Sequence, residues 1–430
     1  MKKVSFLGYK DYANIMTEYA KAINKYCDGF EARVICELSH PIDFGKPHDY
    51  DLYDWDESKT GKGKKNEPII KRAKEWLKES EHIIFAEEKK PIWYDLMINP
   101  PQYRDQEEYL HVLDEASKLD TYTRLEGWRD LRNILNMDFF TETRAGLRGN
   151  IHLYHTGSIY RDSNDFFNIM GIKHFNKLIH GVDLYRLSWY NPNDKYTHKQ
   201  ETILDRFNLG NDFKEENHLA IYTSYDKDYK KEEVLKNIDK KFDTNKILIF
   251  HAMTGQFKLS HIIDQVVGDL VNTLNRRNKR KGIDVEYEYI TPQTYEPIKH
   301  LVDEKSGWVP NEEIMKLKEM CHLYVDEFNP MIGYFGGSSV EALMTGNVTF
   351  ATINNFEEDA KIAANKNIDA SDCPVIHLGS NPQQFRRIMK EYMDKPIEEL
   401  KEIAKEGLEW YYKTSTHRAV ATKFEKEILI

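Results

Sequence analysis

The chain has 430 residues, 40% of them hydrophobic and 31% charged, which is apolar material enough for two domain cores and charge typical of a soluble protein. A net charge of −10 with a pI near 5.9 excludes a protein that coats nucleic acid electrostatically, while leaving room for a local basic groove. Cys27, Cys36, Cys321 and Cys373 are scattered without C-x-x-C spacing, and no apolar run reaches the roughly 18 residues of a membrane span, so a soluble, cytoplasmic protein with free thiols is expected.

The chain opens on Lys2 and Lys3, but the apolar run that follows is too short for a signal peptide. Val4 to Leu7 reads as a strand ending at Gly8, and Ile15, Tyr19 and Ile23 then mark one face of a helix. Ala32 to Cys36 is a second strand. Asp54-Trp55-Asp56 forms a D-x-D inside an acidic, aromatic stretch, and the lysine-rich segment Lys59 to Pro68 reads as an exposed loop. A helix over Ile69 to Glu79 and a strand over His82 to Ala86 follow. Pro91 to Leu147 is less regular. Ile151 to Tyr154 is a strand that leads into His155-Thr156-Gly157-Ser158, and Lys177 to His180 is another before Gly181. The polar zone from Asn191 to His218 reads as a domain junction.

The pattern then restarts with a strand over Lys246 to Phe250, a helix over Lys258 to Leu274, a strand over Asp284 to Ile290 and a helix over Asn311 to Met320. Tyr324 to Ala351 is the most informative segment. A strand from Leu323 to Val325 enters a loop containing Gly333, Gly336 and Gly337. Ser338 and Ser339 are suited to cap a helix over Val340 to Thr345, which places Glu341 in its first turn. Gly346 stops that helix before a strand over Val348 to Ala351. Such a helix start presents N–H groups and a positive dipole end, which suits a phosphate or diphosphate. Val375 to Leu378 is a last strand, followed by helices over Pro382 to Met393, Ile397 to Tyr412 and Arg418 to Ile428. Strand–helix alternation of this kind predicts an α/β protein with two Rossmann-like, doubly wound domains. The expected division is 1–200, a linker at 201–218, 219–405, and terminal helices at 406–430 packing back on the first domain.

Taken together, these segments resemble a glycosyltransferase of the GT-B fold, in particular the large retaining group called family 4. Phe250 to Ser260 resembles the family's strand-end block, with His251, Ala252 and Lys258 matching and Gln256 where an arginine is usual. The resemblance implies that Gln256 and Lys258 lie against the donor diphosphate. Gly307 to Asp326 is similar to the base-facing loop, helix and strand of relatives, with Val309 offering backbone groups to the base. Ser338-Ser339-Val340-Glu341-Ala342 resembles the segment whose glutamate binds the donor ribose, so Gly336, Gly337, Ser338, Ser339 and Glu341 are donor-binding candidates. Gly333 stands where the family often has a second glutamate, and Glu327, with Asp326 beside it, is the nearest acid to face the transferred sugar. Ile151 to Arg161 resembles the family's strand ending in histidine, which makes His155 the other catalytic candidate, positioned to hydrogen-bond sugar hydroxyls or developing charge. Gly8 matches a position of close ligand approach. The implied activity is sugar transfer from a nucleoside diphosphate sugar, with retention and with neither metal nor cofactor. The expected acceptor is a glycan; a modified base in DNA, met through a local basic face, is the alternative. A non-catalytic nucleotide-sugar-binding protein is the rival of another class.

Overall fold

Five consecutive buried residues, Val4 to Gly8, make β1 (Lys2–Gly8) a central strand, since a parallel strand covered on both faces carries an unbroken apolar run. In the computed structural model β1 pairs in parallel with β2 (Phe30–Cys36) and β6 (Ser80–Glu87), Val4 lying opposite Ala32 and His82. The sheet is completed by β3 (Tyr50–Asp51), β7 (Ile151–His155), β8 (Asn176–His180) and β9 (His218–Ile221), in the order β3-β2-β1-β6-β7-β8-β9. Every pairing in it is parallel. The residues described are 1–8, 11, 15–37, 49–56, 61–87, 129–135, 151–155, 176–180, 218–221, 229–252, 260–302, 309–328, 337–352, 374–379, 381–427 and 429.

Helix α1 (Ile15–Tyr26) joins β1 to β2, and α2 (Glu67–Glu79) leads into β6. Asn66 starts α2 by accepting a hydrogen bond from Ile69 N at 3.3 Å, with Pro68 in the first turn, where its missing N–H costs nothing. Between β3 and α2 the chain forms an antiparallel hairpin of β4 (Tyr53–Asp56) and β5 (Gly61–Lys65). The lysine-rich stretch is therefore half strand, not loop: Lys65 lies opposite Tyr53 and Lys62 opposite Trp55. Its own residues carry no strand signal, because the apolar partners come from β4. Helix α3 spans 129–135.

The second sheet has the order β11-β10-β12-β13-β14, built from β10 (Lys246–Phe250), β11 (Glu286–Ile290), β12 (Leu323–Glu327), β13 (Val348–Ala351) and β14 (Ile376–His377), again all parallel. Its helices are α4 (Lys231–Lys241), α5 (Ser260–Lys281), α6 (Glu296–Lys299), α7 (Asn311–Met320), α8 (Gly337–Met344), α9 (Pro382–Met393) and α10 (Ile397–Thr414). Phe250, Ile290, Ile314, Leu317, Tyr324 and Ala342 pack into one core between α7, α8 and the sheet. Helix α4 buries only Val234 and Ile238, too few apolar positions to announce it in the sequence.

The chain divides into two units, Met1–Leu184 with Tyr190–Ser224 and His417–Ile430, and Tyr185–Trp189 with Tyr225–Thr416. The expected boundary at residue 219 runs through β9, which belongs to the first sheet. The expected break near 406 falls inside α10, which runs unbroken to Thr414 and buries Leu400, Ala404, Leu408 and Tyr411 within the second unit. Only α11 (His417–Glu427) returns to the first unit, where Val420, Ala421 and Phe424 complete the core around Phe6, Tyr19 and Cys27. Phe424 meets Tyr19 edge-on with ring centroids 5.3 Å apart.

Helix α8 ends where Gly346 takes a left-handed φ of +72°; Gly346 N donates to Leu343 O and Asn347 N to Ala342 O, both at 3.0 Å. A Cβ at Gly346 would collide with the Ile238 side chain of α4, whereas one at Gly29, also left-handed at φ +85°, would meet nothing within 4 Å. Gly346→Ala is expected to lower stability by about 2–5 kcal/mol, combining backbone strain with overpacking, and Gly29→Ala by about 1–2 kcal/mol from strain alone. Urea unfolding of the two variants checks the contrast.

Candidate functional site

The site is assembled around β12, all five residues of which are buried although two of them are acids. Strand alternation puts Tyr324 and Asp326 on one face, and the Tyr324 hydroxyl donates to Asp326 Oδ1 at 3.4 Å. Helix α8 begins at Gly337, earlier than the sequence suggests. Ser338 and Ser339 are thus inside its first turn and not caps ahead of it, and Glu341 lies one turn further on. Both serines have buried partners that hold the helix open to this length. Ser339 Oγ donates to Asp326 Oδ2 at 2.6 Å, and Ser338 Oγ shares a hydrogen bond with the Tyr324 hydroxyl at 2.5 Å.

At the centre is Lys318 of α7, 0% exposed. A buried ammonium needs an acceptor for each of its three hydrogens and a counter-charge. Lys318 Nζ has Ser338 O and Ser338 Oγ, each at 2.9 Å, and Glu341 Oε2 at 2.7 Å, and it lies 4.8 Å from the centroid of the Tyr324 ring. Burial, and then the Asp326 charge, push the Tyr324 phenol well above its ordinary range, so it stays a neutral donor. Glu341 Oε1 has Asn311 Nδ2 at 3.5 Å, the outer limit of a hydrogen bond, and a tenth of the glutamate side chain is exposed. One carboxylate oxygen is committed to Lys318; the other retains capacity for a stronger donor.

The structure thus brings together Gly337, Ser338, Ser339 and Glu341, and adds Lys318, Tyr324 and Asn311, which the sequence reading passed over. Lys318 had a signal: it sits four residues after Ile314, on the stripe of α7 that buries Ile314, Met315 and Leu317. Glu327 is 2% exposed at the carboxyl end of β12, and its carbonyl accepts from Thr352 N at 3.1 Å. His251 at the end of β10 is fully buried, with Nδ1 2.8 Å from Val325 O and Nε2 2.8 Å from Ser260 Oγ, so it ties β10, β12 and α5 together. The Val309 side chain is in the core beside Phe250 and Ala342. Gly8 and His155 belong to the first unit. Near Gly8, Asp11 occupies the start of α1, accepting from Met16 N at 2.8 Å and Thr17 N at 2.9 Å. His155 ends β7 opposite Glu87 and Ile179. Gln256, Lys258 and Gly336 lie outside the described residues, as does the side chain of His155. In the D-x-D, exposed Asp54 accepts from Asn66 Nδ2 at 3.3 Å. Among the described residues no group of three or more His, Cys, Asp and Glu could hold a metal ion, and no helix is long and apolar enough to cross a membrane.

No family model and no curated protein matches the chain. Solved structures do. An alpha-glucosyltransferase in complex with UDP and a 13-mer DNA containing a HMU base aligns over 100% of both chains at 9% identity, with a TM-score of 0.50. The enzyme of that name in complex with UDP-glucose and DNA containing an abasic site gives the same coverage, identity and score. HepE of Anabaena in complex with UDP aligns over 99% of each chain at 10% identity, with a TM-score of 0.47. The fold is GT-B. At such identity the likeness is one of backbone, not of side chains.

In this GT-B chain the far end of α8 is also anchored by a half-buried lysine. Lys241 Nζ donates to Cys321 O at 2.8 Å and Thr345 O at 3.1 Å, and Asn347 Nδ2 donates to Cys321 O at 2.8 Å. Burial lowers the Lys241 pKa from 10.5 to about 7, against small opposing effects of Cys321 and Glu319. Between these values the unfolded chain holds a proton that the folded chain has lost, so this residue makes stability rise with pH from about 7 to 10.5, fall as pH drops back towards 7, and leaves it level below that. Urea midpoints at about pH 7 and about pH 9.5 should increase in the parent protein and lose most of that increase in Lys241→Met.

Proposed function

We propose that the chain is a glycosyltransferase that moves a sugar from a nucleoside diphosphate sugar to an acceptor hydroxyl, with the donor held by the second unit. The observation that carries this reading is the start of α8 on β12. By helix geometry its first N–H groups lack intrahelical acceptors. It has no acid in its first turn, and it carries Glu341 with one oxygen committed and one still able to accept. N–H groups with a positive dipole end suit a diphosphate, and a fixed carboxylate suits ribose hydroxyls. In the reaction the bond from the anomeric carbon to the diphosphate oxygen breaks, the acceptor oxygen bonds to that carbon, and the acceptor proton is released. The family resemblance supports retention without a metal, His155 and Glu327 near the transferred sugar, and Gln256 and Lys258 at the diphosphate. Titration calorimetry with UDP, ADP, GDP and CDP is expected to find one of them binding well below millimolar. Lys258→Ala should weaken that binding by about 1.5–3 kcal/mol, the worth of a hydrogen bond from a charged donor. No binding across the panel removes the reading.

A glycan hydroxyl is the acceptor class that the resemblance implies. A second reading, a modified base in DNA, is favoured by two observations. Two solved structures with a TM-score of 0.50 are of an alpha-glucosyltransferase in complex with DNA. The segment from Gly61 to Glu79 carries seven basic residues against three acidic ones, and Lys64, Lys65, Lys71, Arg72 and Lys78 are exposed. Mass spectrometry after incubation with mixed nucleotide sugars decides: a hexose gain on hydroxymethylated DNA supports the second reading, and a gain on glycans alone supports the first. DNA binding through these residues should weaken steeply with salt, and reversing the charges of Lys71 and Arg72 should flatten that dependence.

A further inference from the structure

We propose that Lys318 is a positioning residue for nucleotide recognition: it acts through Glu341, holding the carboxylate so that Oε1 faces the ribose hydroxyls of the donor. The inference rests on the reading of Glu341 as a donor-binding group and adds how its geometry is set. Four features carry it. Lys318 is fully buried, so solvent does not hydrate its charge and its acceptors must come from the fold. Its ammonium grips Glu341 Oε2 at 2.7 Å and, through Ser338 O and Ser338 Oγ at 2.9 Å, the first turn of the same helix. The cation therefore sets both the rotamer of the carboxylate and the placement of the N–H groups ahead of it. The hydrogen bond described between the two side chains goes to one oxygen, Oε2. Bidentate pairing of the arginine kind would consume both, whereas the point charge of a lysine leaves Oε1 to a ligand. Finally, Oε1 has only the marginal Asn311 contact at 3.5 Å among the bonds described to it, which a ribose hydroxyl at ordinary distance would surpass.

A purely structural lysine would stabilise the fold and leave the choice among nucleotides alone. A positioning lysine changes that choice. The measured quantity is thus the ratio of dissociation constants for a ribonucleoside diphosphate and its 2′,3′-dideoxy form. UDP, ADP, GDP and CDP, each with its dideoxy counterpart, are titrated into the full-length parent, Lys318→Met and Lys318→Gln, with thermal unfolding followed in parallel. In the parent the hydroxyls should be worth roughly 10-fold or more in affinity, as hydrogen bonds to a charged group are. In Lys318→Met that preference should fall to within about 3-fold. In Lys318→Gln, which keeps a donor towards Glu341, part of it should return. If the parent binds none of the diphosphates, the proposed function fails. If it binds one but ignores the hydroxyls, the Glu341 contact and this inference fail while nucleotide binding stands. A folded Lys318→Met that keeps the full preference overturns the positioning role alone. Loss of cooperative unfolding in both variants overturns it too, because the cation is then a folding element.

Discussion

One buried ion pair sets the arrangement of the second unit around helix α8. Bringing Lys318 out of water costs several kcal/mol, which is recovered only if Glu341, the Ser338 hydroxyl and the Ser338 carbonyl arrive together. Those acceptors lie on α8, the cation lies on α7, and the strand between them supplies Tyr324 as a neutral cover. A slide of either helix by one residue would strand a charge. The pair is thus better understood as a device that selects one packing of α7, β12 and α8 than as a source of net stability.

The two helix starts that follow a central strand are treated in opposite ways. Helix α1 carries its own carboxylate, Asp11, on its first N–H groups, so a further anion there would meet a like charge. Helix α8 has no acid in its first turn, and its serine hydroxyls are turned inward to Asp326, Tyr324 and Lys318. The difference makes the start of α8 the better suited of the two to an anion, since that of α1 already holds a carboxylate. At the far end of α8, Gly346, Asn347 and Lys241 close off the carbonyls, so the helix is fixed at both ends by neighbours within its own unit.

Most of the architecture was legible because it rests on local pattern. Parallel strands such as Val4 to Leu7 and Lys246 to Phe250 are short apolar runs, and Gly346 stops its helix wherever tertiary contacts lie. What escaped depended on partners distant in sequence. The strand Gly61 to Lys65 has nothing apolar of its own and is formed by Tyr53 and Trp55 opposite it. Strand β9 was not read as a strand and was divided between the polar junction and the second domain, because its signal is four residues long and its pairing partner, β8, is some 40 residues earlier. At the site, the glycine–serine start and Glu341 were visible as a motif, but the helix was started three residues too late, since capping is the usual reason for serines there and a buried lysine and aspartate are not. Lys318 itself was hidden by the habit of counting lysines as solvent-facing, although its position on the apolar stripe of α7 argued otherwise.

The division of the chain into units has a consequence for its biogenesis. The first unit is interrupted in sequence by the second, and its core is incomplete until Val420, Ala421 and Phe424 have been synthesised. All strands of the second sheet and helices α4 to α10 precede those residues, so a ribosome delivers the whole of the later unit before the earlier one can close. The amino-terminal unit, which customarily is complete first, is here the last to have all of its core residues. While α11 is still in the exit tunnel, α1 exposes the apolar surface around Tyr19 and Ile23 that Phe424 and its neighbours will cover. That nascent surface is where a chaperone would be needed.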